Sequence, residues 1–151
     1  MGIKIIAKNR KAFHEYNIFD KFEAGLVLKG TEVKSIRAGK INLTDGWVDF
    51  RDDEAFLHNV HISPYTHGNI FNHEERRQRK LLLQKREIIK LLNSVQQKGY
   101  SIVPIKVYLK GQLVKVEIAL AKGKKLHDKR AASKEKDANK EIARAMRKQV
   151  G

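Results

Sequence analysis

The 151-residue chain has no cysteine, which excludes disulfides, thiolate-bound zinc and thiol nucleophiles. Proline is scarce, at two residues, and aromatic residues make up only 7%. No apolar run approaches the roughly 20 residues that a membrane-spanning helix needs. The opening MGIKII carries no Ser or Thr at its sixth position, so it does not fit a myristoylation signal. IKIIAKNRK is too short and too charged for a secretory signal. Phosphate-cradling loops and dinucleotide fingerprints are also missing. These absences lead us to expect a cytoplasmic protein with no membrane role and no bound cofactor.

Acidic residues are the other shortage. There are 17 Asp and Glu against 32 Lys and Arg, a formal charge of +15. So large an excess repels itself in a compact chain, and a polyanionic partner is its natural counterpart. Apolar residues make up 41%, enough for one core in one domain.

Hydrophobic patterning gives the organisation. FHEYNIFDKFEAGLVL (13–28) alternates with period two, with Tyr16, Ile18, Phe22, Ala24 and Leu26 on one side. It reads as a long strand, bent near Asp20 or Gly25. TEVKSIRAG reads as a short helix stopped by Gly39. Strands are expected at 46–51 and 55–62, joined by Asp52 and Asp53, followed by a polar loop over 65–73. Residues 74–98 read as the main helix, with Leu81, Leu82, Ile88, Ile89, Leu91, Leu92 and Val95 on one broad face and Gly99 as its stop. SIVPIKVYL and QLVKVEIALA form a strand pair that turns at Lys110-Gly111. The expected fold is mainly β with helices (α+β): a small closed antiparallel β-barrel resembling the oligonucleotide-binding fold, with flanking helices and a basic C-terminal tail.

The composition changes at Lys122. Residues 122–151 hold eleven Lys and Arg against four Asp and Glu, a net +7, which leaves +8 for residues 1–121. The tail has too few large apolar residues to offset the entropy of ordering. Two units are therefore expected: a barrel domain over 1–121, and a basic tail over 122–151 that is disordered alone and helical on an anionic surface.

Three basic runs stand out: KNRK (8–11), RRQRK (76–80) and the tail. A single charge run is ordinarily a solvated face, but three in one small domain favour nucleic acid. Among the six histidines, His58 and His61 are three apart on a strand and face opposite sides. His67 and His73, in or near the loop, could join one of them, but no convergent acidic set completes a site, so no metal is expected. His127-Asp128, within GKKLHDKR, is the one pair that invites a catalytic reading. Catalysis needs fixed geometry, and no core surrounds that pair, so no enzyme is expected. Glu23 is set apart from the other acids. It lies on the outward side of the first expected strand, where a carboxylate on a basic surface can accept from base amino groups.

The run NRKAFHEYNIFDKFEAGLVLKGTEVKSIRAGKINLTDGWV resembles the small protein B family, the SsrA-binding proteins of bacterial trans-translation. So do RKLLL, GYSIVPIKVYLKGQLVKVEIALAKGKK and HDKR, in the family's order and over nearly the whole chain. The resemblance implies binding to the tRNA-like domain of transfer-messenger RNA (tmRNA) at its elbow. It also implies delivery to stalled ribosomes, with elongation factor Tu and alanyl-tRNA synthetase as indirect partners through that RNA. The RNA-binding positions it implies are Asn9, Glu23, Leu82 and Gln84, with Arg10, Lys11, Arg79 and Lys80 of the basic runs beside them. Gln84 departs from the Asn or His that the family often carries there, and NHEERRQRK lacks the proline common before RKLLL. In the tail, Lys124, Lys125, His127, Asp128, Lys129 and Arg130 are implied to meet the decoding centre and the empty messenger channel. The chemistry stays with the ribosome.

Overall fold

The computed structural model describes residues 2–65 and 72–124. The elements run β1 (Ile3–Lys8), α1 (Arg10–Glu15), β2 (Tyr16–Leu26), α2 (Gly30–Arg37), β3 (Ile41–Asn42), β4 (Trp47–Arg51), β5 (Glu54–His58), β6 (His61–Ile62), β7 (Arg79–Leu82), α3 (Lys85–Lys98), β8 (Ser101–Lys110) and β9 (Leu113–Gly123). Seven strands form one antiparallel sheet in the order β1-β8-β9-β2-β7-β5-β4, and β3 pairs with β6. The expected closed barrel is corrected. The sheet keeps two edges, β1 and β4, and curls far enough for β4 to pack against β8. The mainly antiparallel class with helices stands.

Local chemistry explains several elements. Asp52 and Asp53 join β4 to β5 with φ of 52° and 62°. Both central residues of a two-residue hairpin turn need such angles, and Asp tolerates them. Gly99 ends α3 at φ +71°. The β8–β9 turn falls on Gly111 and Gln112, one position later than expected, because Lys110 still pairs with Leu113. The register of β2 against β9 shifts between Ile18 and Lys21, which realises the bend expected near Asp20.

The expected strand over 13–28 begins instead with a helix. Asn9 caps α1: its Oδ1 accepts from the Ala12 N–H at 3.0 Å, and its Nδ2 donates to the carbonyls of Leu43 and Pro104. The expected helix over 74–98 starts only at Lys85. Residues 79–82 form β7, whose alternation buries Arg79 and Leu81 and exposes Lys80 and Leu82. β1 was not foreseen from the sequence.

β8 is buried on both faces, since two cores meet there. Leu43, Leu57, Leu81, Leu91, Val107 and Ile118 belong to the core inside the curl. Val103 and Ile105 pack with Ala12 under α1. The register shift between Pro104 and Lys106 lets one run of alternating residues serve both. Gly46, just before β4, admits no side chain: a Cβ there would lie 2.7 Å from both Pro104 and Val60.

The deepest polar feature joins α2 to β7. Glu32 is 0% and Arg79 1% exposed. Arg79 Nε donates to Glu32 Oε2 at 2.5 Å, Arg77 Nη2 to Oε1 at 2.5 Å, and the Lys29 N–H to Oε1 at 2.8 Å. Arg79 Nη1 also donates to the Val60 carbonyl at 2.8 Å, and Nη2 to that of Glu75 at 3.2 Å. Burial alone would raise the Glu32 carboxyl, but these donors more than offset it and hold the group below its ordinary value of 4.5.

Glu32→Gln is expected to destabilise the fold by about 3–5 kcal/mol at neutral pH, because it strands a buried guanidinium. A folded-state value below the unfolded one gives stability that is complete above about pH 4.5 and lost as pH falls through the lowered value. The variant should therefore also show a flatter acid limb in urea unfolding. Wild-type stability at pH 7 would contradict this account.

Candidate nucleic-acid interface

Where β2, β7 and the start of α3 meet, the surface opens into a groove of about 720 Å³. Glu23, Lys80, Leu82 and Gln84 line it together. These residues lie far apart in sequence. The pairing of Gly25 with Leu82 brings β2 and β7 together, and Gln84 follows as the N-cap of α3. A Cβ on Gly25 would come within 3.3 Å of Leu82, so the glycine lets that side chain lie close over β2. Leu82 is exposed, as expected for an outward strand position that no protein group covers. Gln84 makes no side-chain capping bond. Its N–H instead donates to Glu87 Oε1 at 3.0 Å.

Glu23 is held in place by a partner that the sequence reading missed. The Tyr108 hydroxyl donates to Glu23 Oε2, and Lys110 Nζ lies 3.5 Å from Oε1. The Tyr108 hydrogen bond lowers the Glu23 carboxyl most, ahead of the opposing effect of burial and the nearby charge of Lys110. Burial, then Glu23 itself, pushes the Tyr108 hydroxyl up, so it remains a donor. The result is an ionised acceptor at the groove wall, fixed and partly accessible. Lys115 also lines the groove, opposite Gly25 on β9. The polar side of the expected last strand was its sequence signal.

The other expected positions fall elsewhere. Asn9 and Arg79 are buried, Asn9 at 2% exposure, and their polar atoms serve the α1 cap and the Glu32 pair. Arg10 and Lys11 are exposed on α1, outside this groove, and Lys11 Nζ lies 3.6 Å from Asp45. Lys80 pairs with Glu54 at 2.7 Å while staying half exposed. Lys124 is tied to the end of α1 by its N–H, which donates to the Glu15 carbonyl at 3.0 Å. Lys125, His127, Asp128, Lys129 and Arg130 lie outside the described residues.

Three of the described histidines, His58, His61 and His73, each have a separate partner. His58 lies 2.6 Å from Asp49, His61 2.8 Å from Glu75, and buried His73 bridges Thr31 and the Ile62 carbonyl. Among the described residues no group of three or more His, Asp or Glu could hold a metal ion. Nor is any helix among them long and apolar enough to cross a membrane.

Tyr108→Phe is expected to move the Glu23 carboxyl up toward 4.5, as followed by carbon-detected NMR titration of its side chain. An unchanged titration would mean that the hydroxyl is not what holds the carboxylate.

The SmpB protein family matches residues 6–148. The SsrA-binding protein of Geobacter metallireducens is 57% identical over 147 residues, covering 97% of this chain and 96% of the relative. That of Carboxydothermus hydrogenoformans is 54% identical over 144 residues, covering 95% and 97%. A solved structure described as "tmRNA-SmpB: a journey to the center of the bacterial ribosome" superposes with a TM-score of 0.69 at 43% identity, covering 95% of this chain and 96% of that one. The chain belongs to the SmpB family.

Proposed function

We propose that the protein binds the tRNA-like domain of tmRNA and delivers it to stalled ribosomes for rescue and peptide tagging. Membership of the SmpB family supports the reading. The observation that carries it is the groove uniting Glu23, Leu82 and Gln84 with Lys80 and Lys115. It offers a fixed carboxylate for base amino groups, an exposed apolar face for a base or ribose, and ammonium groups for phosphates. Arg10 and Lys11 add positive charge on α1.

The basic tail expected over 122–151 forms the second working part in this reading; Lys122 and Gly123 still belong to β9, and Lys124 stands at the root of the rest. Lys125, Lys129 and Arg130 neutralise ribosomal phosphates, and His127 and Asp128 meet the decoding centre as the tail follows the empty messenger channel. The protein acts as an adaptor in the cytoplasm and not as an enzyme. Elongation factor Tu and alanyl-tRNA synthetase are reached only through tmRNA.

A general binder of structured RNA would share the charge, so salt dependence does not separate the two readings. Competition does. The adaptor should retain a tRNA-like RNA against a large excess of random duplex, and equal competition would refute it. Leu82→Ala and Glu23→Ala should each weaken tRNA-like RNA binding by about 1–3 kcal/mol in a filter-binding titration, with little change in melting temperature. Unchanged affinity in both would remove the groove from the interface.

A chain ending at Lys124 keeps the whole of β9. It is expected to bind that RNA at near full affinity and to fail in tagging on stalled ribosomes. Affinity reduced to the random-duplex level would make the tail the recognition element instead.

A further inference from the structure

The outward face of the β4–β5 hairpin carries aromatic and charged side chains that the groove at Glu23 leaves largely unused. The register sets Trp47 opposite His58, Asp49 opposite Phe56 and Arg51 opposite Glu54. Trp47 lies flat on His58, with ring centroids 4.1 Å apart and planes 12° from parallel. His58 Nε2 donates to Asp49 Oδ1 at 2.6 Å, which fixes the imidazole beneath the indole. Arg51 sits over the Phe56 ring at 4.6 Å.

Despite this backing, Trp47 remains 46% exposed. It borders a second groove, of about 330 Å³, with Lys11, Thr44 and Asp45. A single exposed apolar side chain is ordinary. This one is unusual in being held rigid by a stacked, hydrogen-bonded partner while its remaining surface stays open beside a cation. Aromatic rings next to positive charge are what single-stranded nucleic acid uses, since every base has a π-face to stack. The Lys11–Asp45 pair leaves both side chains about half exposed. Such a pair is weak enough for a phosphate to take the lysine.

We propose that Trp47 is a stacking platform for one unpaired nucleobase of an RNA strand. His58 and Asp49 act as positioning residues that hold the indole, and Lys11 receives the adjoining phosphate. The proposal rests on the reading that this protein binds RNA, and it adds a contact outside the groove at Glu23.

The chain has one tryptophan, so its fluorescence reports this site alone. The full-length protein is titrated with a six-nucleotide oligoadenylate and with an abasic ribose-phosphate oligomer of the same length and charge. Base stacking should quench the emission with the oligoadenylate and leave it nearly unchanged with the abasic oligomer. Trp47→Ala should weaken oligoadenylate binding about 5- to 150-fold, and Trp47→Phe should restore part of the loss. His58→Ala should reduce the quenching at saturation while Trp47 remains present. Equal quenching by both oligomers, no quenching by the oligoadenylate, or unaltered affinity in Trp47→Ala would each overturn the proposal. Should Trp47→Ala fail to fold, the wild-type fluorescence still decides. The proposed function fails on different evidence, namely loss of preference for the tRNA-like RNA over random duplex, so the two outcomes are separable.

Discussion

The buried pair of Glu32 and Arg79 is the constraint on which the groove at Glu23 depends. Arg79 is the first residue of β7, and its guanidinium reaches α2, the chain at Val60 and the turn at Glu75. Removing two charges from water is costly, and these bonds recover that cost only in one arrangement. Strand β7 is therefore pinned at its first residue. Its period-two alternation then places Lys80 and Leu82 outward and Leu81 inward. A one-residue slip would bury the lysine and expose the arginine. The outward side chains of the groove thus owe their positions to a charge pair that faces away from it.

The same logic recurs at Glu23. A carboxylate on a strongly basic protein would ordinarily be held by whichever lysine lies nearest. Here a tyrosine hydroxyl takes one oxygen and leaves the other only loosely engaged by Lys110. The acceptor is oriented by a neutral donor, so its charge remains available to a ligand. Rigid backing of an exposed side chain by a less exposed partner also describes Trp47 on His58. In both cases the cost of ordering the side chain is met within the fold and not at the moment of binding.

Much of this architecture was legible in the residues. Alternation identified β2, β4, β5, β8 and β9. Paired Asp residues and Gly99 marked a turn and a helix end. The failures have physical causes. RRQRKLLL carries a strand pattern of four residues beside a longer amphipathic stretch, and periodicity cannot separate so short a run from a helix. The pair Gln84 and Glu87 was the available sign that α3 starts later. Arg79 was misplaced because an arginine in a basic run reads as surface, and its buried partner lies 47 positions away. Asn9 carried a capping signal before a short helix, but its carbonyl partners at Leu43 and Pro104 are set by tertiary structure. Sheet closure is likewise decided by curvature, which no local pattern encodes.

The mechanics of β9 follow from its place in the sheet. It is hydrogen-bonded on one side to β8 and on the other to β2, with Gly123 still paired to Tyr16. Lys124 adds a bond to Glu15 immediately beyond. Ladder hydrogen bonds in antiparallel pairs run across the strands. Tension applied along β9 from its C-terminal end therefore loads two ladders in shear, with many bonds sharing the force. They would not open one at a time, as in unzipping. A pull on whatever follows Lys124 should reach the body of the sheet undiminished, making β9 a stiff strut between the basic C-terminal segment and the groove where Lys115 lies.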